Sequence, residues 1–260
     1  MGHMATNEGG GGPPPNDGGG SEGGGGSGRR ASPPASWRAV EVFPVFLLVV
    51  MVTLIGASVL QGVVRSCGPQ LTIGTLIQEL AFAGAVLFWV RYVKHSSFAA
   101  LGLPKRPAGD VVTGVVAGVA LFLLAFLVAD VTSAVAAAIL GHQPVQPKQI
   151  DPCVRGLAFQ LTGPIVILAA PLGEELFFRG FFYKGLRRRL AIWPSAVISG
   201  LAFGALHIAG WSFLLIVPAL FMVGVGLALV YEHRQSLLAS VAAHATFNVI
   251  GFIAIAMGRK

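Results

Sequence analysis

Within an otherwise apolar stretch, PLGEELFFRG (171–180) places Glu174, Glu175 and Arg179 within two helical turns of one another. Further on, FGALH (203–207) ends on His207, and HATFN (244–248) opens on His244 and closes on Asn248. Ionisable groups in such surroundings are costly and generally face a bundle interior or a cavity. Glu175 and Arg179 have the i,i+4 spacing that lets a carboxylate and a guanidinium meet on a helix. Glu174 lies about 100° further round and is left free to face a cavity. His244 and Asn248, four apart, share one helix face. A carboxylate, two imidazoles and an amide suit hydrolysis of a peptide bond. A Glu or His can act as general base on water, and an imidazole and an amide can donate to the oxyanion. There is no GxSxG and no serine or cysteine obviously paired with these histidines, which favours activated water over a covalent nucleophile. HExxH is also absent. The blander alternative is a charge cluster at a membrane interface, with the three side chains of the first motif snorkelling.

The elements that must position these residues are membrane helices. The chain has 260 residues, 54% of them hydrophobic and 11% charged, and a mean hydropathy of +0.75. Soluble domains carry about 25% charged residues. From Val42 onward, apolar runs near the ~20 residues of a membrane span follow one another. The pattern predicts an all-α, polytopic transmembrane bundle of about seven spans, at 42–64, 71–91, 111–130, 156–177, 192–210, 212–231 and 236–257. The fourth is expected to run on as a helix toward Arg189, with kinks at Pro164 and Pro171. Segment 131–141 reads as a surface helix or the tail of the third span. Counted by side, thirteen Lys and Arg fall with the N-terminus and five opposite. The bias predicts a cytoplasmic N-terminus and, with seven spans, an external C-terminus. Basic residues sit in short loops with no aromatic-interleaved patch, which argues against nucleic acid. Counting at ~1.5 Å per residue from the cytoplasmic ends, Glu174, His207, His244 and Asn248 all fall in one slab of the bilayer.

Residues 1–40 are Gly, Pro and Ser with almost nothing to bury, and are expected to form a disordered tail. Residues 41–97 then form N-terminal transmembrane helices, and 98–260 the core. Cys67 and Cys153 both fall in outer loops, where a disulfide can persist; two unrelated thiols are the alternative. Glu79 with Gln78 reads as a helix–helix hydrogen-bonding pair. Gly114 and Gly118 read as close helix packing.

EELFFR (174–179), FGALH and HATFN, in that order on separate spans, match the patterns EExxxR, FxxxH and HxxxN. In this the chain resembles the CPBP family, the type II CAAX prenyl proteases and the Abi proteins of bacteriocin processing and immunity. FAALGLPKR (98–106) looks like that family's lead-in, and the likeness covers roughly residues 98–257. It implies an intramembrane endopeptidase of the plasma (inner) membrane, acting on a membrane-associated peptide, a bacteriocin leader or a prenylated CAAX tail. By the same likeness, Glu174 and His207 activate water, His244 and Asn248 hold the oxyanion, and Glu175 and Arg179 shape the site. Direct water activation without a metal is favoured. Glu174, His207 and His244 are the alternative as a zinc site with one open position. Two rivals stand beside the enzyme: a non-catalytic membrane scaffold or immunity-type protein of the same fold, and a small transporter, whose inverted repeats are not visible. Lipid is an expected partner. The sequence carries no signal of oligomeric state.

Overall fold

The computed structural model describes residues 35–258 apart from 103–106 and 209. The expected tail through residue 34, the end of the 98–106 lead-in and the last two basic residues lie outside the described residues. Among the described residues the chain is all-α. Six helices are long and apolar enough to cross a membrane: α1 (Ala39–Val63), α2 (Cys67–Val93), α3 (Pro107–Leu140), α4 (Gly156–Leu186), α6 (Val217–Arg234) and α7 (Leu237–Gly258). Between the last three sits a shorter apolar helix, α5 (Ile192–Ala205). Side chains such as Phe43, Leu54 and Phe126 stand bare on the outer faces. The bundle is that of a multi-pass membrane protein whose apolar surface meets lipid tails.

One expectation about the spans is corrected. The fifth, at 192–210, is a helix of 14 residues, or about 21 Å, too short for a ~30 Å hydrocarbon core. His207 therefore lies in the turn after α5, where its backbone N–H reaches back to the Gly204 carbonyl at 3.1 Å. The chain re-enters α6 only after a 3-10 turn at Trp211–Leu215. Of the two readings of segment 131–141, the tail of the third span holds: α3 runs unbroken for 34 residues through Leu140. The fourth helix does continue past its expected span, to Leu186.

Within α4 the two prolines coincide with changes of hydrogen-bond register. Ile165–Ala169 and Leu176–Tyr183 are π-helical. The Ala170 N–H reaches Ile165 O, one residue further than an α-helix would. The next carbonyl, that of Val166, then faces Pro171, which has no N–H to offer.

The packing is tight where residues are small. α3 and α7 form the most extensive pair of helices. A Cβ at Gly114 would lie 2.6 Å from both the Ala239 carbonyl oxygen and the Ala242 Cβ, so the absence of a side chain sets the spacing of the two backbones. Gly114→Leu is expected to lower the thermal midpoint in detergent, at a cost of about 1–3 kcal/mol. Substitution by Leu at Gly62, where a Cβ meets nothing within 4 Å, serves as control and leaves the midpoint in place. An aromatic cluster fills the centre, with Phe82, Phe177, Phe178, Phe181 and Phe203 all buried. Trp37 belongs to it: it is fully buried, stacks on Phe181 at 5.2 Å and donates from Nε1 to the Phe181 carbonyl at 2.8 Å. Residues 35–40, which the sequence assigns to the tail, are thus anchored by one large side chain. Cys67 and Cys153 are joined in a disulfide, tying the start of α2 to the segment before α4.

Candidate active site

Glu175 is fully buried and both of its carboxylate oxygens accept hydrogen bonds. Its Oε1 receives Arg179 Nη1 at 2.8 Å and His244 Nδ1 at 2.9 Å. Its Oε2 receives the hydroxyl of Ser240. Arg179, also fully buried, extends Nη2 to the Gly224 carbonyl of α6 at 2.9 Å. Its guanidinium lies over the rings of Phe203 and Phe178, at 4.8 and 5.6 Å from their centroids. One ion pair therefore ties α4 to α5, α6 and α7 at the same level.

Because a carboxylate only accepts, His244 Nδ1 carries its proton. Nε2 is then the ring's working end, and it lies 3.9 Å from Glu174 Oε2. That carboxylate oxygen is buried and has no hydrogen-bond partner among the described residues. The same logic applies to His207. Its Nδ1 lies 2.8 Å from the Phe203 carbonyl, an acceptor, so Nδ1 carries the proton and Nε2 presents a lone pair. The His207 ring packs 4.8 Å from Phe203, and His244 sits against the same ring at 5.7 Å. Phe203 thus spaces Arg179 and both imidazoles.

Glu174 and His207 line one cavity of about 230 Å³. Phe46, Val49, Thr53 and Leu54 of α1 and Gln78 and Phe82 of α2 form its far wall. Gly173, next to Glu174, lets α2 approach: a Cβ there would meet the Glu79 carbonyl oxygen at 2.6 Å. Glu79 itself is buried and takes a 3.4 Å contact from Gln78 Nε2, while its Oε2 is without a partner among the described residues.

Asn248 is engaged in a way the sequence does not foretell. Its Nδ2 donates at 2.8 Å to Val166 O, the carbonyl that Pro171 leaves without a backbone donor. An amide nitrogen has two N–H groups, so one remains.

The sequence reading misses Ser240 and the cavity wall from α1 and α2. Ser240 was within reach: it lies four residues before His244, which lies four before Asn248, so the three share one face of an apolar helix. The wall from α1 and α2 carries no such spacing: its two polar residues, Thr53 and Gln78, sit on different helices among apolar neighbours.

Glu174, His207 and His244 are donors of the types zinc takes, but their donor atoms do not all lie within 4.8 Å of one another. Glu174 offers a carboxylate oxygen, and His207 and His244 each offer an Nε2. The Nδ1–H of each is held by an oxygen, as is usual for metal-ligating histidine. A second group, Cys67, Asp151 and Cys153, brings its donor atoms within 4.8 Å of one another. It is capable of holding a metal ion once reduced, because thiolate and not disulfide sulfur is the ligand.

Residues 157–250 match the family described as Type II CAAX prenyl endopeptidase Rce1-like. No curated protein and no solved structure matches the chain. The matched segment runs from the start of α4 into α7, and Glu174, Glu175, Arg179, His207, His244 and Asn248 all lie inside it. The lead-in at 98–106 and α1 to α3 lie outside.

Proposed function

We propose that this CAAX-protease-like domain, spanning residues 157–250, makes the chain an intramembrane endopeptidase that hydrolyses a peptide bond with water activated at Glu174 and His207. The observation that carries the reading is the division of labour between neighbouring acids. Glu175 is spent entirely on Arg179, His244 and Ser240, whereas Glu174 has an unpartnered oxygen in a cavity it shares with His207.

Water held between the Glu174 carboxylate and His207 Nε2 gives a proton to Glu174 as its oxygen adds to the scissile carbonyl carbon. The oxyanion that forms is met by N–H donors. These are the second N–H of Asn248 and, with both ring nitrogens protonated, His244 Nε2, which lies 3.9 Å from Glu174 Oε2. When the intermediate collapses, the C–N bond breaks and the proton on Glu174 passes to the leaving amine. The products are a carboxylic acid and an amine, which become a carboxylate and an ammonium by passing the remaining proton between them. If zinc is bound, Glu174, His207 and His244 hold it, and it supplies Lewis-acid polarisation of the carbonyl and a more acidic water.

The substrate is a membrane-associated or prenylated CAAX-type peptide reaching the cavity from the bilayer or the cytoplasm. The excess of Lys and Arg on one side supports a cytoplasmic N-terminus in an inner (plasma) membrane. Seven crossings would put the C-terminus outside; the six long helices alone leave it on the side of the N-terminus.

The test is purified full-length protein against a panel of membrane peptides that includes a farnesylated CAAX peptide. His207→Ala is expected to lower kcat by about 10²–10⁴. Cleavage that survives a zinc chelator supports direct water activation. Cleavage lost to chelator and restored by zinc makes the enzyme a metalloprotease. Equal cleavage by wild type and variant sinks the site. A protein that binds a peptide without cutting it returns the reading to a membrane scaffold of the immunity type.

A further inference from the structure

A second site opens at the end of α4 remote from the disulfide. Arg38, Arg188 and Arg189 line a cavity of about 320 Å³, together with Ala39, Val40 and Leu186. No carboxylate lines it. The acids at this end of the bundle are already engaged: Glu41 takes Lys94 at 3.2 Å and Trp89 Nε1 at 2.9 Å, and Glu232 takes Arg187 and the Tyr183 hydroxyl. None of the three arginines is in an ion pair among the described residues. The cavity is also built in place. Trp37 is locked into the aromatic core, and its carbonyl fixes Arg188 Nη1 at 3.0 Å.

This basic mouth continues into an apolar groove of about 430 Å³. The two share Ala39, Val40 and Leu186. The groove runs back along α4 from Leu186 to Phe177, nine residues or about 13 Å, with α1 on one side and α5 on the other. Its inner end shares Phe46, Phe178 and Leu206 with the Glu174 cavity. Both volumes fall in the ~300–1,000 Å³ range of small-molecule sites.

An occupant must carry an anion at one end and hydrocarbon at the other. Guanidinium groups match phosphate by bidentate hydrogen bonding. Basic pockets between membrane helices bind lipid headgroups, and the surrounding solvent supplies such a molecule. We propose that the arginine mouth and the groove together bind one anionic phospholipid, its phosphate on Arg38, Arg188 and Arg189 and one acyl chain in the groove. The chain tip then ends at the rim of the Glu174 cavity. Occupancy by lipid closes the gap between α1 and α5, and any apolar substrate chain must displace it. The binding itself does not depend on the hydrolase reading.

Native mass spectrometry of the full-length protein in detergent tests this directly, with phosphatidylglycerol and phosphatidylcholine of identical acyl chains as probes. Wild type is expected to retain one phosphatidylglycerol at least ~10-fold more tightly than phosphatidylcholine. The triple variant Arg38→Gln, Arg188→Gln, Arg189→Gln should lose on the order of 100-fold in phosphatidylglycerol affinity. Ala202→Trp, which fills the groove and spares every arginine, should lose the lipid as well. Lysine at all three positions should restore part of the preference. Equal retention of both lipids by wild type, or full retention by either variant, overturns the proposal. So does competition by free glycerol 3-phosphate at the affinity of the intact lipid, which would make the mouth a plain phosphate site. Binding of a farnesylated peptide by wild type and triple variant alike, with no phosphatidylglycerol retained, would assign the groove to an uncharged chain.

Discussion

Glu174→Gln is expected to abolish cleavage, with kcat down by about 10²–10⁴, while the protein extracts, purifies and melts like wild type. The amide keeps the size of the side chain but cannot take a proton from water. The fold should tolerate it because Glu174 holds nothing together. Its Oε2 has no partner among the described residues, and its nearest ion-pair contact, His244 Nε2, is 3.9 Å away. The comparison with Glu175→Gln sharpens the expectation. That substitution removes charge from a carboxylate that receives three side chains, so its first effect should be on the melting temperature. Measured together, kcat and thermal midpoint should separate the two neighbouring acids, one failing in chemistry and the other in assembly. Equal behaviour of the two variants would refute the division of labour on which the mechanism rests.

The largest stability effect is expected at Arg179. Arg179→Leu leaves Glu175 as a buried charge without its guanidinium, and breaking a buried pair from one side costs about 3–5 kcal/mol. Arg179→Lys should rescue little. A single ammonium cannot bond Glu175 and the Gly224 carbonyl at once and also lie flat over Phe203, as the planar guanidinium does. Thermal unfolding followed by size-exclusion chromatography in detergent measures both. The double variant Arg179→Leu, Glu175→Leu is the decisive comparison. It removes both charges, so it should recover part of the loss in stability without recovering activity, since His244 then has no carboxylate to orient it. A double variant no more stable than Arg179→Leu alone would mean that the pair is not the seat of the loss.

How much of this was legible in the sequence depends on whether a contact is local. The Glu175–Arg179 pair is read off its spacing, and the structure places the two 2.8 Å apart. The partners that complete the cluster, Ser240 and His244, lie 65 and 69 residues from Glu175, and no periodicity within one helix encodes that meeting. Apolar content shows the six long helices plainly, because lipid demands it of each one separately. It overestimates the fifth: residues 192–210 are mostly apolar, yet the helix stops at Ala205. His207, just past that end, lines the Glu174 cavity. Pro164 and Pro171 signal trouble in α4, but they do not say that the answer is a π-helical register. Nor do they say that Asn248, on another helix, supplies the missing donor to Val166. The cysteines show a pair of outer-side thiols and nothing about their separation, which the fold sets at 6.0 Å between Cα atoms.

That disulfide also changes what a cut in the loop before α4 could do. Cys67 and Cys153 close a covalent ring that contains α2, α3 and the mostly exposed stretch 141–150. A single cut in that stretch opens the ring without freeing a fragment. The half carrying the cavity wall, α1 to α3, stays bonded to the half carrying Glu174 and both histidines. A nicked protein is therefore still one molecule until it meets a reductant, and only then can its two halves drift apart in the bilayer.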